Sequence, residues 1–323
     1  MRIERFAFFF FAVVLAGAGS ATADEYPSKT IRIINPFPAG GGVDFLLRPI
    51  AQKMSDDLKT PVIIDNRSGA NGAIGSDLCA KAAPDGYTLL AGTTGALPMN
   101  AALRKNLPYD PVKDFAPISN IAESAFVLSV HPSVPVRTLQ EYIALAKARP
   151  GQVSYASFGI GSSSHFGGEL FSQMAGVQLL HVPYKGSAPS LAAILGGEVM
   201  SSFDSMQSVM PHVRAGRLRA LGLGAAKRSP AATDMPTISE SGLAGFEVGS
   251  WYGLLAPAGT PKDIVAKLHA EVVKALAVSS IRERIVSTGT EPVGNTPEEF
   301  AAQIRSDLAK WRKVAAEAKI SAD

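Results

Sequence analysis

The chain has 323 residues, with 31 Lys and Arg against 28 Asp and Glu and a formal net charge of +3. Its basic residues are scattered, with no patch interleaved with aromatics, so the sequence gives nucleic-acid binding no support. A chain of this length can bury its own core and usually makes two domains, while the single cysteine, Cys79, excludes an intramolecular disulfide.

The N-terminus reads as a targeting segment rather than as fold. Arg2 and Arg5 flank the start of an apolar stretch over residues 6–15, and Gly17, Gly19 and Ser20 lead to Ala21-Thr22-Ala23. A charged region, an apolar region and an A-x-A site predict a signal peptide cleaved after Ala23. The apolar stretch is shorter than the ~20 residues a membrane-spanning helix needs. No cysteine sits at the cleavage site to make a lipoprotein. The expected product is an exported, soluble protein.

After it, β-branched runs alternate with amphipathic helical patterns, the signature of an α/β fold. Residues 30–35 (TIRIIN) read as a first strand. A helix after Gly42 carries Phe45, Leu46, Ile50, Met54 and Leu58 on one face, with Pro49 expected to kink it. Further strands are expected at 62–64, 88–91 and 125–130, and Cys79 is expected buried in its alanine-rich stretch. Helices are expected at 139–148, 165–175 and 189–195, and strands at 153–157, 179–184, 201–203, 218–223 and 251–256. Thr260-Pro261-Lys262-Asp263 and Thr296-Pro297-Glu298-Glu299 each read as a Thr-capped helix start with Pro at the first position. The second opens a final helix to about residue 318, striped by Phe300, Ile304, Leu308 and Trp311.

Two glycine-rich turns carry the functional signal. Pro36-Phe37-Pro38-Ala39-Gly40-Gly41-Gly42 and Gly159-Ile160-Gly161-Ser162-Ser163-Ser164 each follow a strand and open a helix. Such junctions present free backbone N–H groups and the positive end of a helix dipole, which suits a carboxylate or a phosphate. Two of them, far apart in sequence, suggest one anion held between two lobes. The simplest parse is an α/β protein of two lobes joined by two hinge strands. Lobe one takes residues 24–129 and 250–323, and lobe two residues 130–249. Both turns lie at the carboxyl ends of strands, where open α/β sheets bind ligands.

Catalysis finds little footing. Ser163, His165 and Asp204 supply the residue types of a hydrolytic triad, yet no G-x-S-x-G elbow is present. Ser163 and His165 are also poorly spaced at a helix start for a nucleophile and its base. His131, His165, His181, His212 and His269 are scattered without metal-ligand spacing. Gly40-Gly41-Gly42 is not a dinucleotide fingerprint, and no P-loop is present. The reading expects no reaction, no metal and no cofactor; an exported hydrolase is the weaker alternative.

Several ordered segments resemble the Bug family, the periplasmic solute receptors of tripartite tricarboxylate transporters. They include Tyr26-Pro27, the first glycine turn through Val43-Asp44, Asp65-Asn66-Arg67-Ser68-Gly69-Ala70 and Pro84-Asp85-Gly86-Tyr87-Thr88-Leu89. Tyr109-Asp110-Pro111-Val112-Lys113-Asp114-Phe115, residues 159–165, His181-Val182-Pro183-Tyr184-Lys185-Gly186, Ala225-Ala226-Lys227-Arg228-Ser229-Pro230 and Ala256-Pro257-Ala258-Gly259-Thr260-Pro261 continue the series. The resemblance implies a two-lobed periplasmic binding protein of the type II kind that closes on a small organic acid, held by backbone amides and ordered waters, and passes it to the membrane subunits of a transporter; a monomer is expected. A sensor kinase as partner is the alternative. It carries the ligand contacts onto Phe37, Pro38, Ala39, Gly41, Val43 and Asp44, onto Thr93 and Thr94, and onto Ser157, Gly159, Gly161, Ser162, Ser163 and His165, with Asp204 facing the same cleft. Asp44 is expected to hold its loop, a water or a ligand donor rather than touch a carboxylate, because like charges repel. Val43 stands where the family has Thr or Ser, and Phe158 and Ile160 replace smaller or polar residues; these changes are expected to make the pocket more apolar.

Overall fold

The computed structural model describes residues 26–320, so the expected signal segment lies outside the described residues. The first half of the chain runs β1 (Ile31–Asn35), α1 (Gly42–Leu58), β2 (Val62–Asn66), a 3₁₀ turn (Ala70–Gly72), α2 (Ala73–Ala80), β3 (Thr88–Thr93), a π-helical turn (Gly95–Met99), α3 (Asn100–Leu103) and the long strand β4 (Phe115–Val130). The middle continues with α4 (Leu139–Ala148), β5 (Val153–Ser157), α5 (Ser163–Ala175), β6 (Leu179–Pro183), α6 (Ser187–Leu195), β7 (Ser201–Ser205), α7 (Met206–Arg214) and β8 (Arg219–Leu223). The chain then returns through β9 (Gly249–Pro257), α8 (Lys262–Ala277), α9 (Ser279–Ser287), β10 (Thr290–Pro292) and α10 (Pro297–Glu317).

The strands follow the order β2-β1-β3-β9-β4-β7-β5-β6, with β10 and β8 also pairing β4. β1 pairs in parallel with β2 and β3, and β5 with β6 and β7, which is the arrangement that strand–helix–strand units impose. β9 and β4 run antiparallel to these neighbours. β4 joins the two halves of the sheet: its first part pairs β9, and from Phe126 onward it pairs β7 and β8. The protein is thus a two-lobed α/β fold with a shared crossing strand. One core packs Ile31, Ile33, Leu46, Ile50 and Met54 against Leu254, Leu268 and Ile285. Another packs Phe166, Phe171, Phe203 and Phe246 with Leu128 and Trp311. α10 spans the lobes: its Trp251–Phe300 contact lies in the first half, and its Trp311–Phe166 contact in the second.

Two local expectations change. α1 continues through Pro49. Proline removes one interior hydrogen bond, but Leu46, Leu47, Ile50 and Met54 are buried on the same face and hold the helix in place. Thr260 does not cap α8: its hydroxyl donates to the Pro257 carbonyl, and the cap position falls on Pro261. The other device forms as expected. Thr296 and Glu299 make a reciprocal capping box at the start of α10. Cys79 is fully buried.

Candidate functional site

The first glycine turn is held from below by one carboxylate. Asp44 is buried, accepts from the Gly40 amide at 3.1 Å, and takes a two-pronged contact from Arg48 at 2.7 and 3.0 Å. Asn66 donates to Asp44 at 3.4 Å and to the Phe37 carbonyl at 3.0 Å. Burial alone would raise the Asp44 pKa; the bonds from Arg48, Gly40 and Asn66 and the Arg48 charge outweigh it and hold the carboxyl below its ordinary value. Its charge is therefore spent on its own loop. Gly40 takes a φ of +80°, which only glycine adopts freely. The helix cap at Gly41 has no side chain to offer, and among the described residues the amides of Gly42, Val43 and Asp44 have no partner. That is an open helix N-terminus, an arrangement whose free amides and dipole suit an anion.

The second turn is more heavily braced. Gly159 and Gly161 have φ of +123° and +78°. The Gly159 amide donates to Ser157 Oγ at 3.1 Å, the Gly161 amide to His165 Nδ1 at 3.1 Å, and the Phe158 amide to Ser164 Oγ at 2.9 Å. Ser162 caps α5 by accepting from the His165 amide at 3.3 Å, and donates to the Gly159 carbonyl at 2.7 Å. Ser163, half-buried, keeps both its amide and its hydroxyl without a partner among the described residues. Serine capping and serine presentation thus fall to neighbouring positions.

Contacts link the two turns. A methyl group on Gly72 would meet Ala96 Cβ at 2.8 Å, Pro36 Cβ at 3.3 Å and Phe37 Cζ at 3.5 Å. One on Gly95 would meet Asn71 at 3.8 Å and Ser163 Oγ at 3.9 Å. Gly161 in turn lies directly against Leu103 of α3. The first turn, the Ala70–Gly72 turn, the π-helical turn after β3 and the start of α5 therefore form one continuous wall. Thr93 and Thr94 belong to it structurally: their hydroxyls accept from the Ala96 amide at 3.1 Å and from the Trp251 amide at 3.0 Å.

Asp204 lies within β7, 1 % exposed, not beyond the strand's end. It accepts from the Ser205 amide at 2.6 Å and from Ser187 at 3.1 and 3.3 Å. Burial, only partly offset by these donors, pushes its pKa up to about 7. Across the lobes, burial first and then the Asp204 charge push Tyr252 up to about 12. Ser163, His165 and Asp204 do not form a triad: His165 Nδ1 is committed to Gly161, and Asp204 bonds serines rather than a histidine.

Other side chains depart from expectation. Val43 is 7 % exposed and packs in the first core, and Phe158 packs edge-on against Phe126 at 5.9 Å. Val43 therefore adds no apolar surface to its turn, while Phe158 stays partly exposed and Ile160 is 61 % exposed. Sequence reasoning missed Asn71, Ser187 and Tyr252, and gave His181 no role. Asn71 sits at φ +52°, and an Asn-Gly pair at 71–72 signals such a turn. A crevice of about 270 Å³ lies at the crossing strands, lined by Glu123, Glu247, Trp251, Asp307 and Lys310; of the expected site residues only Thr94 reaches it. Among the described residues no cluster of three or more metal-binding side chains occurs, and no helix is long and apolar enough to cross a membrane.

Comparison with known proteins identifies the family. The tripartite tricarboxylate transporter family receptor model matches residues 46–320. Protein BugT of Bordetella pertussis is 36% identical over 94% of this chain and 95% of its own length. The solved structure of R. palustris Rpa4515 with adipate superposes with a TM-score of 0.80 at 37% identity, covering 92% of this chain and 99% of that one. MatC from Rhodopseudomonas palustris with bound malate superposes with a TM-score of 0.77 at 34% identity, covering 90% and 99%. The chain belongs to the tripartite tricarboxylate transporter receptor family of solute-binding proteins, a family of receptors rather than enzymes.

Proposed function

We propose that this protein is a periplasmic receptor that closes on a small organic dicarboxylate and delivers it to the membrane subunits of a tripartite transporter. One observation carries the reading. The unpartnered amides at the start of α1 and the unpartnered amide and hydroxyl of Ser163 lie at two ends of one wall of contacts. Helix starts that keep free amides of this kind favour carboxylate groups. The relatives bound to adipate and malate support a dicarboxylate. The contact set would be Phe37, Pro38, Ala39, Gly41, Val43, Asp44, Thr93, Thr94, Ser157, Gly159, Gly161, Ser162, Ser163, His165 and Asp204. Several of these act through the backbone: Val43 would give its amide, because its side chain is in the core. Asp44 and His165 would hold the turns that touch the ligand.

β4 exchanges β9 for β7 between Ala125 and Phe126, four residues before the lobe boundary expected at residue 130, and a hinge there, with the return near Gly249, would serve this closure. A ligand bridging the lobes shifts an open–closed equilibrium toward closure. Thermal unfolding of the mature protein with four- to six-carbon dicarboxylates, monocarboxylates and inorganic phosphate tests the reading. A saturable rise in Tm with at least one dicarboxylate is the expected result. No stabilisation by any organic acid, with turnover of an ester or amide, would overturn it.

A further inference from the structure

Beneath the second turn lies a column of three stacked rings. Tyr155 of β5 and His181 of β6 have centroids 5.0 Å apart, inclined by 24°. His181 and His165 of α5 lie face to face at 3.8 Å and 9°. Each histidine serves one glycine of the turn. His165 Nδ1 accepts the Gly161 amide at 3.1 Å. His181 Nε2 contacts Ser157 Oγ at 2.6 Å, and that hydroxyl accepts the Gly159 amide at 3.1 Å. Both glycines sit at positive φ, so the turn has little local preference for its own shape beyond what these bonds impose.

We propose that His181 is a positioning residue for the ligand site: it holds His165 flat beneath the turn, so that Gly161 stays bonded and Ser163 stays presented. The inference rests on the second turn being an anion site. An imidazole that receives an N–H must be unprotonated on that nitrogen. A proton on His165 Nδ1 would set two donors against each other, and two stacked imidazolium rings would repel. The titratable groups in contact with the rings are Tyr155 on β5 and Glu169 on α5. Tyr155 donates to Glu169 at 2.7 Å, and Glu169 stands 3.8 Å from His165 Nε2, beyond hydrogen-bond reach. On the α10 side, the neighbour of His165 is Phe166, which packs against Trp311. Burial, with His181 beside it, pushes His165 down to about 3, and burial pushes His181 down to about 4, so both rings are neutral at physiological pH.

The test uses His181→Ala, which removes stack and hydrogen bond, and His181→Phe, which keeps the stack. Amide hydrogen exchange of Gly161 is measured in the ligand-free protein, and adipate affinity by calorimetry from pH 7.5 to 4.5. His181→Ala is expected to lose Gly161 protection and to weaken adipate binding about tenfold or more, the scale of a lost buried hydrogen bond. His181→Phe is expected to recover much of the protection and affinity, with the same acid decline as wild type down to about pH 5, because both rings stay neutral there and adipate's own titration is common to both. A folded His181→Ala with wild-type Gly161 protection and wild-type affinity would overturn the inference. If the wild type binds no carboxylate, the receptor reading fails while the Gly161 exchange still judges the positioning role.

Discussion

Replacing Gly161 with alanine probes the junction between the lobes at one atom. The residue has a φ of +78°, and a methyl group there runs into Leu103 Cδ1 while leaving Leu103 Cγ at 3.8 Å. Placing an L-residue in the left-handed region costs roughly 1–2 kcal/mol. Leu103 is buried, but the struck atom is the end of a flexible side chain, so it can yield at about the 1–3 kcal/mol typical of overpacking. The variant should therefore be about 2–5 kcal/mol less stable in urea unfolding. Binding should weaken further, because tilting the turn strains the Gly161–His165 bond and moves the Ser163 amide. Leu103→Ala separates the two costs: combined with Gly161→Ala it should remove the collision but not the backbone strain, giving a favourable coupling between the two changes. A Gly161→Ala protein with wild-type stability and wild-type dicarboxylate affinity would refute the reasoning.

Asp44→Asn should cost about 1–3 kcal/mol in urea unfolding, the value of charge-assisted bonds to a buried partner, and wild-type stability would mean that the Arg48 contact does not hold the loop. The Asp44 carboxyl titrates below its ordinary value, so its contribution is present above the unfolded pKa and is lost as pH falls through the folded one. His165 and His181, pushed down to about 3 and about 4, stabilise fully above the unfolded histidine pKa. That stability is lost as pH falls from about 6.5 toward those values, at up to ~1.4 kcal/mol per pH unit for each ring. Asp204 and Asp307, raised to about 7 and about 6 by burial, act oppositely, gaining stability as pH falls through those values. The histidine contribution is therefore read as the difference in urea midpoint between wild type and His181→Phe across pH 7 to 4.5, and parallel curves would contradict it. Gly253→Ala should lower stability by about 1–3 kcal/mol or more by driving a methyl into the Phe300 ring, measured by thermal unfolding. Thr296→Ala should cost about 1 kcal/mol in urea through loss of the capping box.

Much of this was legible along the chain because it is local. β1, the glycine turn and α1 follow from a β-branched run, a glycine cluster and a one-faced helix, and the capping box of α10 is a four-residue device. Failures came where distant partners decide. α1 survives Pro49 because its buried face outweighs one lost hydrogen bond, and Thr260 finds the Pro257 carbonyl instead of a helix end. The three-residue strand β10 is too short for a periodic pattern; its pairing with β4 makes it a strand. The amides of the site were readable, since glycine turns before helices imply them. Side-chain directions were not: Val43 and Phe158 turn into cores, and His181 meets Ser157 and His165 only through the register of β5 and β6. Asp204 and Tyr252 approach only because β4 and β9 bring the lobes together.

In the proposed receptor, amides from both lobes hold one carboxylate ligand. Titrating isotope-labelled protein with adipate while following backbone amide resonances tests it most directly. Gly42, Val43 and Ser163 should shift together, with one shared saturation curve. Shifts confined to a single lobe, or curves that saturate at different concentrations in the two, would contradict it.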